Sequence, residues 1–68
     1  MRCWEMKPGL YYMHRKHIYR TDGVQYWRRP YDVWSERYLP VWEKSDFADL
    51  EPLEFELVPP GTRFPLLQ

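Results

Sequence analysis

Residues 14–30 constrain the fold of this chain most strongly, because they have the pattern of a β-hairpin. Residues 18–21 and 24–27 are rich in β-branched and aromatic side chains, which favour strands. Between them lies Asp22-Gly23, a dipeptide typical of a two-residue type I′ turn. This turn predicts the following cross-strand pairs: Thr21 with Val24, Arg20 with Gln25, Tyr19 with Tyr26, and Ile18 with Trp27.

The same hairpin interleaves cations with aromatic rings. Such a surface can follow a phosphate backbone while its rings stack on bases, so the hairpin suggests a small nucleic-acid-binding barrel as an alternative function. The candidate contact residues are Arg15, Lys16, Tyr19, Arg20, Tyr26, Arg28 and Arg29. The formal net charge of the whole chain is zero, however, whereas nucleic-acid-binding domains are typically basic. Nucleic acid is therefore the less favoured partner.

The length of 68 residues predicts a single small domain, residues 1–68, with a limited core. The chain nevertheless has four Trp, six Tyr and three Phe residues, more large rings than so small a core is expected to hold. We expect some of these rings to lie at the surface, where Tyr and Trp are enriched among the residues that dominate protein interfaces.

Charge is unevenly distributed along the chain. Residues 1–42 contain eight basic and four acidic side chains, whereas residues 43–68 contain two basic and six acidic ones. Two interpretations remain open. Either the two halves attract each other within the fold, or the folded protein presents a charged face to a partner.

The remaining segments predict short elements separated by proline-containing turns. Asp32 is a candidate helix N-cap, and the i, i+4, i+8 spacing of Trp34, Tyr38 and Trp42 favours a helix that Pro40 ends. The predicted elements are strands at 1–7 and 10–13, helices at 32–39 and 45–51, a strand at 53–58, and an edge strand at 62–66; turns are expected at Pro8-Gly9 and at 59–61. We expect Phe47 and Leu50 to face the core from the second helix, and Leu53, Phe55 and Leu57 to share one face of the 53–58 strand.

These elements predict an α+β fold that is mostly β. The expected architecture is a small antiparallel sheet or a partly open, SH3-like barrel with one or two short helices. The resemblance to such barrels comes from the number of elements and not from a motif.

Catalytic and metal-binding patterns are not evident in the sequence. Cys3 is the single cysteine, and His14 and His17 would lie on opposite faces of a strand, so we expect no metal site. Glu54 and Glu56 would share a solvated strand face without a feature that raises the pKa of either. We therefore expect a non-enzymatic protein that uses no cofactor.

Residues 4–30 resemble the scaffold of WW domains, which bind proline-rich peptides. The resemblance consists of Trp4, the run Tyr11-Tyr12-Met13-His14, and the closing Trp27-Arg28-Arg29-Pro30. By this resemblance Tyr12 and Trp27 would hold the peptide. Trp4 is closer to Tyr11, and His14 farther from Trp27, than in that family, and the 38 residues that follow lie outside the resemblance, so we do not assign the chain to it.

The favoured function is a protein-binding module or inhibitor that blocks its partner. We expect a phage-type protein that acts on a host protein or a defence complex. No signal peptide or membrane segment is evident, so we expect it to act in the cytoplasm. The candidate partner-binding residues are Trp34, Tyr38, Trp42, Asp46, Asp49, Glu51, Glu54 and Glu56.

Overall fold

The computed structural model describes residues 1–67, which form a mostly β fold with one short α-helix. A 3₁₀ turn at Cys3–Glu5 stands where the sequence predicted a strand. The other elements are β1 (Tyr12–His14), β2 (His17–Thr21), β3 (Tyr26–Arg29), β4 (Tyr31–Asp32), β5 (Arg37–Tyr38), β6 (Glu43–Ser45), α1 (Phe47–Leu50) and β7 (Glu56–Leu57). None of the described helices is long and apolar enough to cross a membrane.

Five strands form one sheet in the order β6-β3-β2-β1-β7, and every neighbouring pair is antiparallel. Strands β4 and β5 form a separate antiparallel pair. The predicted mostly β class and antiparallel sheet are therefore confirmed. The SH3-like barrel does not form, because β6 and β7 remain the two edges of an open sheet within residues 1–67.

The β2–β3 hairpin exists, but its predicted turn and register are wrong. Thr21 pairs with Tyr26, so residues 22–25 form a four-residue loop. Each residue of β2 therefore pairs two positions farther along the chain than predicted. The cause is the Asp22 carboxylate, whose Oδ1 accepts hydrogen bonds from the backbone N–H groups of Val24 (2.8 Å) and Gln25 (2.7 Å). A shift of two residues leaves each side chain on its original face of the sheet.

A two-residue hairpin turn occurs instead between β1 and β2. His14 pairs with His17, and the intervening Arg15 and Lys16 have φ angles of 48° and 70°. Positive φ at both central positions is the geometry of a type I′ turn. Neither residue is typical of that turn, which is why the sequence did not predict it.

The main hydrophobic core lies on one face of the five-stranded sheet. Tyr12 and Tyr19 face each other across β1 and β2, and they pack with four other buried residues. These four come from the 3₁₀ turn and the segment after it, from α1, and from the chain before β7: Cys3, Met6, Leu50 and Phe55. Helix α1 confirms the predicted helical turn, but Phe47 is exposed and only Leu50 reaches the core.

The predicted helix at 32–39 is wrong, because the segment forms the β4–β5 hairpin. Asp32 does not cap a helix. Its Oδ2 accepts a hydrogen bond from the Ser35 hydroxyl (2.7 Å), and its Oδ1 accepts a longer one from the Trp34 N–H (3.4 Å). These bonds close a loop over residues 33–36, in which Glu36 has a φ of 55°. Hydrogen bonds from the loop to the Asp32 carboxylate thus form in place of the backbone hydrogen bonds of a helix.

The predicted strand at 53–58 shortens to Glu56–Leu57. Phe55 N–H donates to the carbonyl of Met1, whereas Val58 N–H donates to the carbonyl of Tyr11. Leu57 pairs with Tyr12 and therefore lies on the same face as Phe55, but it belongs to the edge strand β7 and is 52% exposed. Phe55 packs in the core, and Val58 is also buried. Residues 62–66 do not form the predicted edge strand, and only Leu66 makes a single parallel bridge, to Tyr38. The turns at Pro8-Gly9 and 59–61 are present.

Candidate functional site

The tip of the β4–β5 hairpin displays two apolar side chains to solvent. Trp34 is 93% exposed and its neighbour Val33 is 68% exposed, so neither packs into the fold. We call these two residues the hairpin tip. An exposed indole offers a large apolar area that a partner can bury at little cost in side-chain entropy.

The base of this hairpin is held firmly by packing and backbone hydrogen bonds. The rings of Tyr31 and Tyr38 meet edge to face at 4.9 Å, and Tyr38 meets Phe64 in the same way at 5.3 Å. Tyr38 N–H donates to the Pro65 carbonyl (2.7 Å), and Leu67 N–H donates to the Tyr38 carbonyl (2.8 Å). The hairpin tip is thus an exposed apolar loop on a fixed base.

The three aromatic residues predicted to bind a partner have different surroundings. Trp34 lies at the hairpin tip, whereas Tyr38 is only 5% exposed and supports the hairpin from beneath. Trp42 is half-buried, and the guanidinium carbons of Arg20 and Arg29 lie 4.4 and 4.9 Å from its ring centroid. The ring of Tyr11 also stacks on Trp42 at 5.9 Å. The structure therefore does not bring these three rings together.

The five predicted acidic residues are all exposed, but they occupy different elements. Asp46 and Asp49 belong to the start and body of α1, and Glu51 follows its end. Glu54 contacts the amino group of Met1 (2.8 Å) and the Nε of Arg2 (3.1 Å). The hydrogen bond from the Met1 amino group holds the pKa of Glu54 below its usual value. Glu56 lies on edge strand β7.

The predicted nucleic-acid contacts are divided between the two faces of the sheet. Arg28 lies on the core face with Tyr19, and its guanidinium contacts Glu43 (3.0 Å), which raises the pKa of Arg28. Tyr19 is buried, and the Tyr26 hydroxyl donates to the carbonyl of Cys3. Arg15 and Lys16 form the β1–β2 turn. Of the predicted cations, Arg20 and Arg29 come together on the opposite face, where both lie against the ring of Trp42.

That opposite face combines cations and indoles in a regular pattern. Across the strands, Lys44 pairs with Trp27 and Trp27 pairs with Arg20. Arg29 lies two residues from Trp27 on the same strand, and its guanidinium packs on Trp42. We call this set the basic–aromatic face: Arg20, Trp27, Arg29, Trp42 and Lys44.

Two clefts open beside the basic–aromatic face. The larger, of about 410 Å³, has Arg29 and Trp42 in its wall, with Leu10, Tyr11 and Phe64 among the apolar lining residues. The smaller, of about 330 Å³, is lined by Arg20, Trp27, Asp22 and the same Leu10-Tyr11 segment. Each cleft thus places a guanidinium beside an indole.

The two histidines lie opposite each other across β1 and β2, so the prediction that they occupy opposite faces is wrong. The prediction treated them as members of one strand, but a two-residue turn separates them. His14 Nδ1 donates to the Glu54 carbonyl (2.8 Å), and His17 Nδ1 accepts from the Tyr31 N–H (3.0 Å). Within residues 1–67, no three His, Cys, Asp or Glu side chains are grouped as metal ligands.

The chain matches no protein-family model, no curated protein and no solved structure. The geometry also differs from the WW-domain resemblance. Tyr12 is 1% exposed and belongs to the core face, whereas Trp27 lies on the other face of the sheet. These two rings cannot line one peptide groove.

Strand alternation contained a signal that the sequence analysis missed. Ile18, Arg20, Trp27 and Arg29 share a face in the predicted register as well as in the observed one. Arg28 and Arg29, both predicted nucleic-acid contacts, are neighbours on one strand and therefore face opposite sides of the sheet. No sequence signal indicated that Tyr11 would stack on Trp42 or that Lys44 would pair with Trp27, because both residues come from other segments of the chain.

Proposed function

We propose that this protein is a non-enzymatic protein-binding module that docks on its partner through the hairpin tip of Val33 and Trp34. The observation that carries the proposal is the near-complete exposure of Trp34 on a hairpin whose base is fixed. An apolar loop that is already ordered loses little conformational entropy on binding, so more of its burial energy contributes to affinity.

The charges of the chain suit such a role. Asp46, Asp49 and Glu51 form an exposed acidic group at α1, and a partner with a basic surface would be attracted to it. The proposal extends to an inhibitor that covers a functional surface of a host enzyme or defence complex. This extension rests on the small size of the chain and its lack of recognisable motifs, and not on a particular contact.

The test compares capture of proteins by wild type, Trp34→Ala and Val24→Ala, each immobilised and exposed to lysate of the source organism or its host. Val24 is a suitable control because it is 85% exposed on the other hairpin loop. Trp34 packs on almost nothing, so circular dichroism should show that Trp34→Ala keeps its fold and its unfolding temperature.

We expect at least one protein to be retained by wild type and Val24→Ala and lost from Trp34→Ala. With that protein purified, the Trp34→Ala affinity should fall by about 2 kcal/mol, roughly 30-fold, as at other buried aromatic anchors. If a folded Trp34→Ala variant retains the same proteins at the same affinity as wild type, the hairpin tip is not the docking site.

A further inference from the structure

The basic–aromatic face has charge that the fold itself does not neutralise. Arg28 and Arg2 each contact a carboxylate, at 3.0 Å to Glu43 and 3.1 Å to Glu54. Among residues 1–67, by contrast, Arg20 and Arg29 have no carboxylate partner within salt-bridge distance, although both guanidinium groups pack on the single ring of Trp42. An anion placed between them would relieve their mutual repulsion.

Arg29 also has a hydrogen-bond donor without an acceptor. Its Nε is buried and has no hydrogen-bond acceptor in the described part of the chain. Arg20 and Arg29 are diagonal neighbours on adjacent strands, since Arg20 pairs with Trp27 and Arg29 follows two residues later. Their backbones are therefore only about 7–8 Å apart, a separation at which one or two neighbouring anionic groups can be shared.

The charge lies beside two clefts that are partly lined by aromatic side chains. The two clefts lie on either side of the Leu10-Tyr11 segment, and each combines one guanidinium with one indole. A ligand that fills both must alternate anionic groups with flat rings. An acidic peptide supplies the charge without the rings, and in a nucleic-acid duplex the rings are stacked inside.

We propose that the basic–aromatic face binds single-stranded nucleic acid. Phosphates lie against Arg20, Arg29 and Lys44, while bases enter the two clefts beside Trp27 and Trp42. Asp22 lines the smaller cleft and repels phosphate there, so the Arg29 side of the face is the stronger phosphate position. This inference does not rest on the hairpin tip, because the two surfaces share no residue.

The experiment measures fluorescence anisotropy of labelled ten-nucleotide dT and rU strands and of a duplex of equal length. Each is titrated with protein at about 50 and 200 mM salt. The principal variant is Arg20→Gln/Arg29→Gln. The matched control is Arg15→Gln/Lys16→Gln, which loses the same charge at the β1–β2 turn, and circular dichroism verifies that both fold.

We expect wild type to bind the single strands more tightly than the duplex, with affinity that falls as salt rises. The Arg20→Gln/Arg29→Gln variant should bind about tenfold or more weakly, and the control within about threefold of wild type. If the principal variant fails to fold, Lys44→Gln replaces it, since Lys44 is exposed and one phosphate is proposed to lie against it. The affinity of Lys44→Gln for the single strands should fall by more than that of the control pair, although the control pair loses two charges and Lys44→Gln only one.

Three results would overturn the proposal: no binding at the lower salt, equal weakening in the control pair, or equal competition by polyglutamate, which would indicate a general site for polyanions. Preference for dT or for rU assigns the ligand as DNA or RNA. Trp34→Ala should leave oligonucleotide affinity unchanged. The oligonucleotide titrations therefore test only this proposal, and the protein-capture experiment tests only the docking of the hairpin tip.

Discussion

The Nδ1 atom of His17 accepts a 3.0 Å hydrogen bond from the backbone N–H of Tyr31, which connects the central strand β2 to the base of the second hairpin. A nitrogen that accepts this bond cannot carry a proton. Burial lowers the pKa of His17, and the positive charges of Arg28 and His14 lower it further. The folded protein therefore favours neutral His17.

This contact makes stability depend on pH. The unfolded chain takes up a proton on His17 near pH 6.5, its ordinary value, while the folded chain stays neutral to lower pH. The stabilisation is thus complete above about pH 6.5 and declines as the pH falls below it. We expect the urea midpoint of wild type to be lower at about pH 5.5 than at about pH 7.5.

His17→Asn retains an acceptor near the position of Nδ1 but does not titrate, so its urea midpoint should change less over the same range. His14→Gln is the comparison variant: it removes one of the charges that lower the pKa of His17 but leaves burial and Arg28, so its urea midpoint should keep most of the pH dependence of wild type. Equal pH dependence in His17→Asn and wild type would contradict this account.

Tyr12→Phe should destabilise the fold through a single lost hydrogen bond. The buried Tyr12 hydroxyl accepts a 2.9 Å bond from the backbone N–H of Lys7, and phenylalanine would leave that donor unpaired. We expect a loss of about 1–2 kcal/mol in the free energy of unfolding, measured by urea denaturation. Tyr11→Phe is the matched control, since Tyr11 is exposed, and should change the free energy by less than about 0.5 kcal/mol.

Phe55→Ala should be far more damaging than Leu57→Ala, although the two residues are separated by only one position. Phe55 packs in the core, edge to face with Tyr19 at 5.0 Å, whereas the Leu57 side chain is exposed. Removal of a buried phenyl ring costs about 3–5 kcal/mol, a large part of the total stability of a domain this small. Far-UV circular dichroism should show Phe55→Ala largely unfolded and Leu57→Ala close to wild type; similar losses in both would show that Leu57 contributes to the core as much as Phe55 does.

Arg15→Asn/Lys16→Gly should stabilise the protein. Both wild-type residues have positive φ angles, which cost most residues with a Cβ atom about 1 kcal/mol or more, and Asn-Gly is the sequence that this turn prefers. We expect the free energy of unfolding to rise by about 1 kcal/mol in urea denaturation. A decrease would show that the side chains of Arg15 and Lys16 contribute more to stability than their backbone geometry costs.

The features that depend on neighbouring residues could be predicted from the amino-acid sequence. Alternating β-branched and aromatic residues around Asp22-Gly23 specified a hairpin and the face on which each of its side chains lies. The predicted helix at 45–51 contains α1, and Pro8-Gly9 formed the expected turn. These features follow from backbone preferences and side-chain spacing, which act within a few residues.

Other features depend on contacts with distant segments, or on competition between alternative local hydrogen bonds, and these were set by long-range packing. Asp32 could cap a helix or close a loop, and the packing of Tyr38 against Phe64 and Leu66 favours the loop. Phe55 and Leu57 share a face, as their spacing predicts, but only Phe55 reaches the core because Leu57 lies on the edge strand β7. The basic–aromatic face likewise combines side chains from β2, β3 and β6. Alternation within the hairpin places Arg20, Trp27 and Arg29 on this face, but the contributions of Trp42 and Lys44 are absent from any local pattern. They arise only because a more distant segment of the chain pairs with β3.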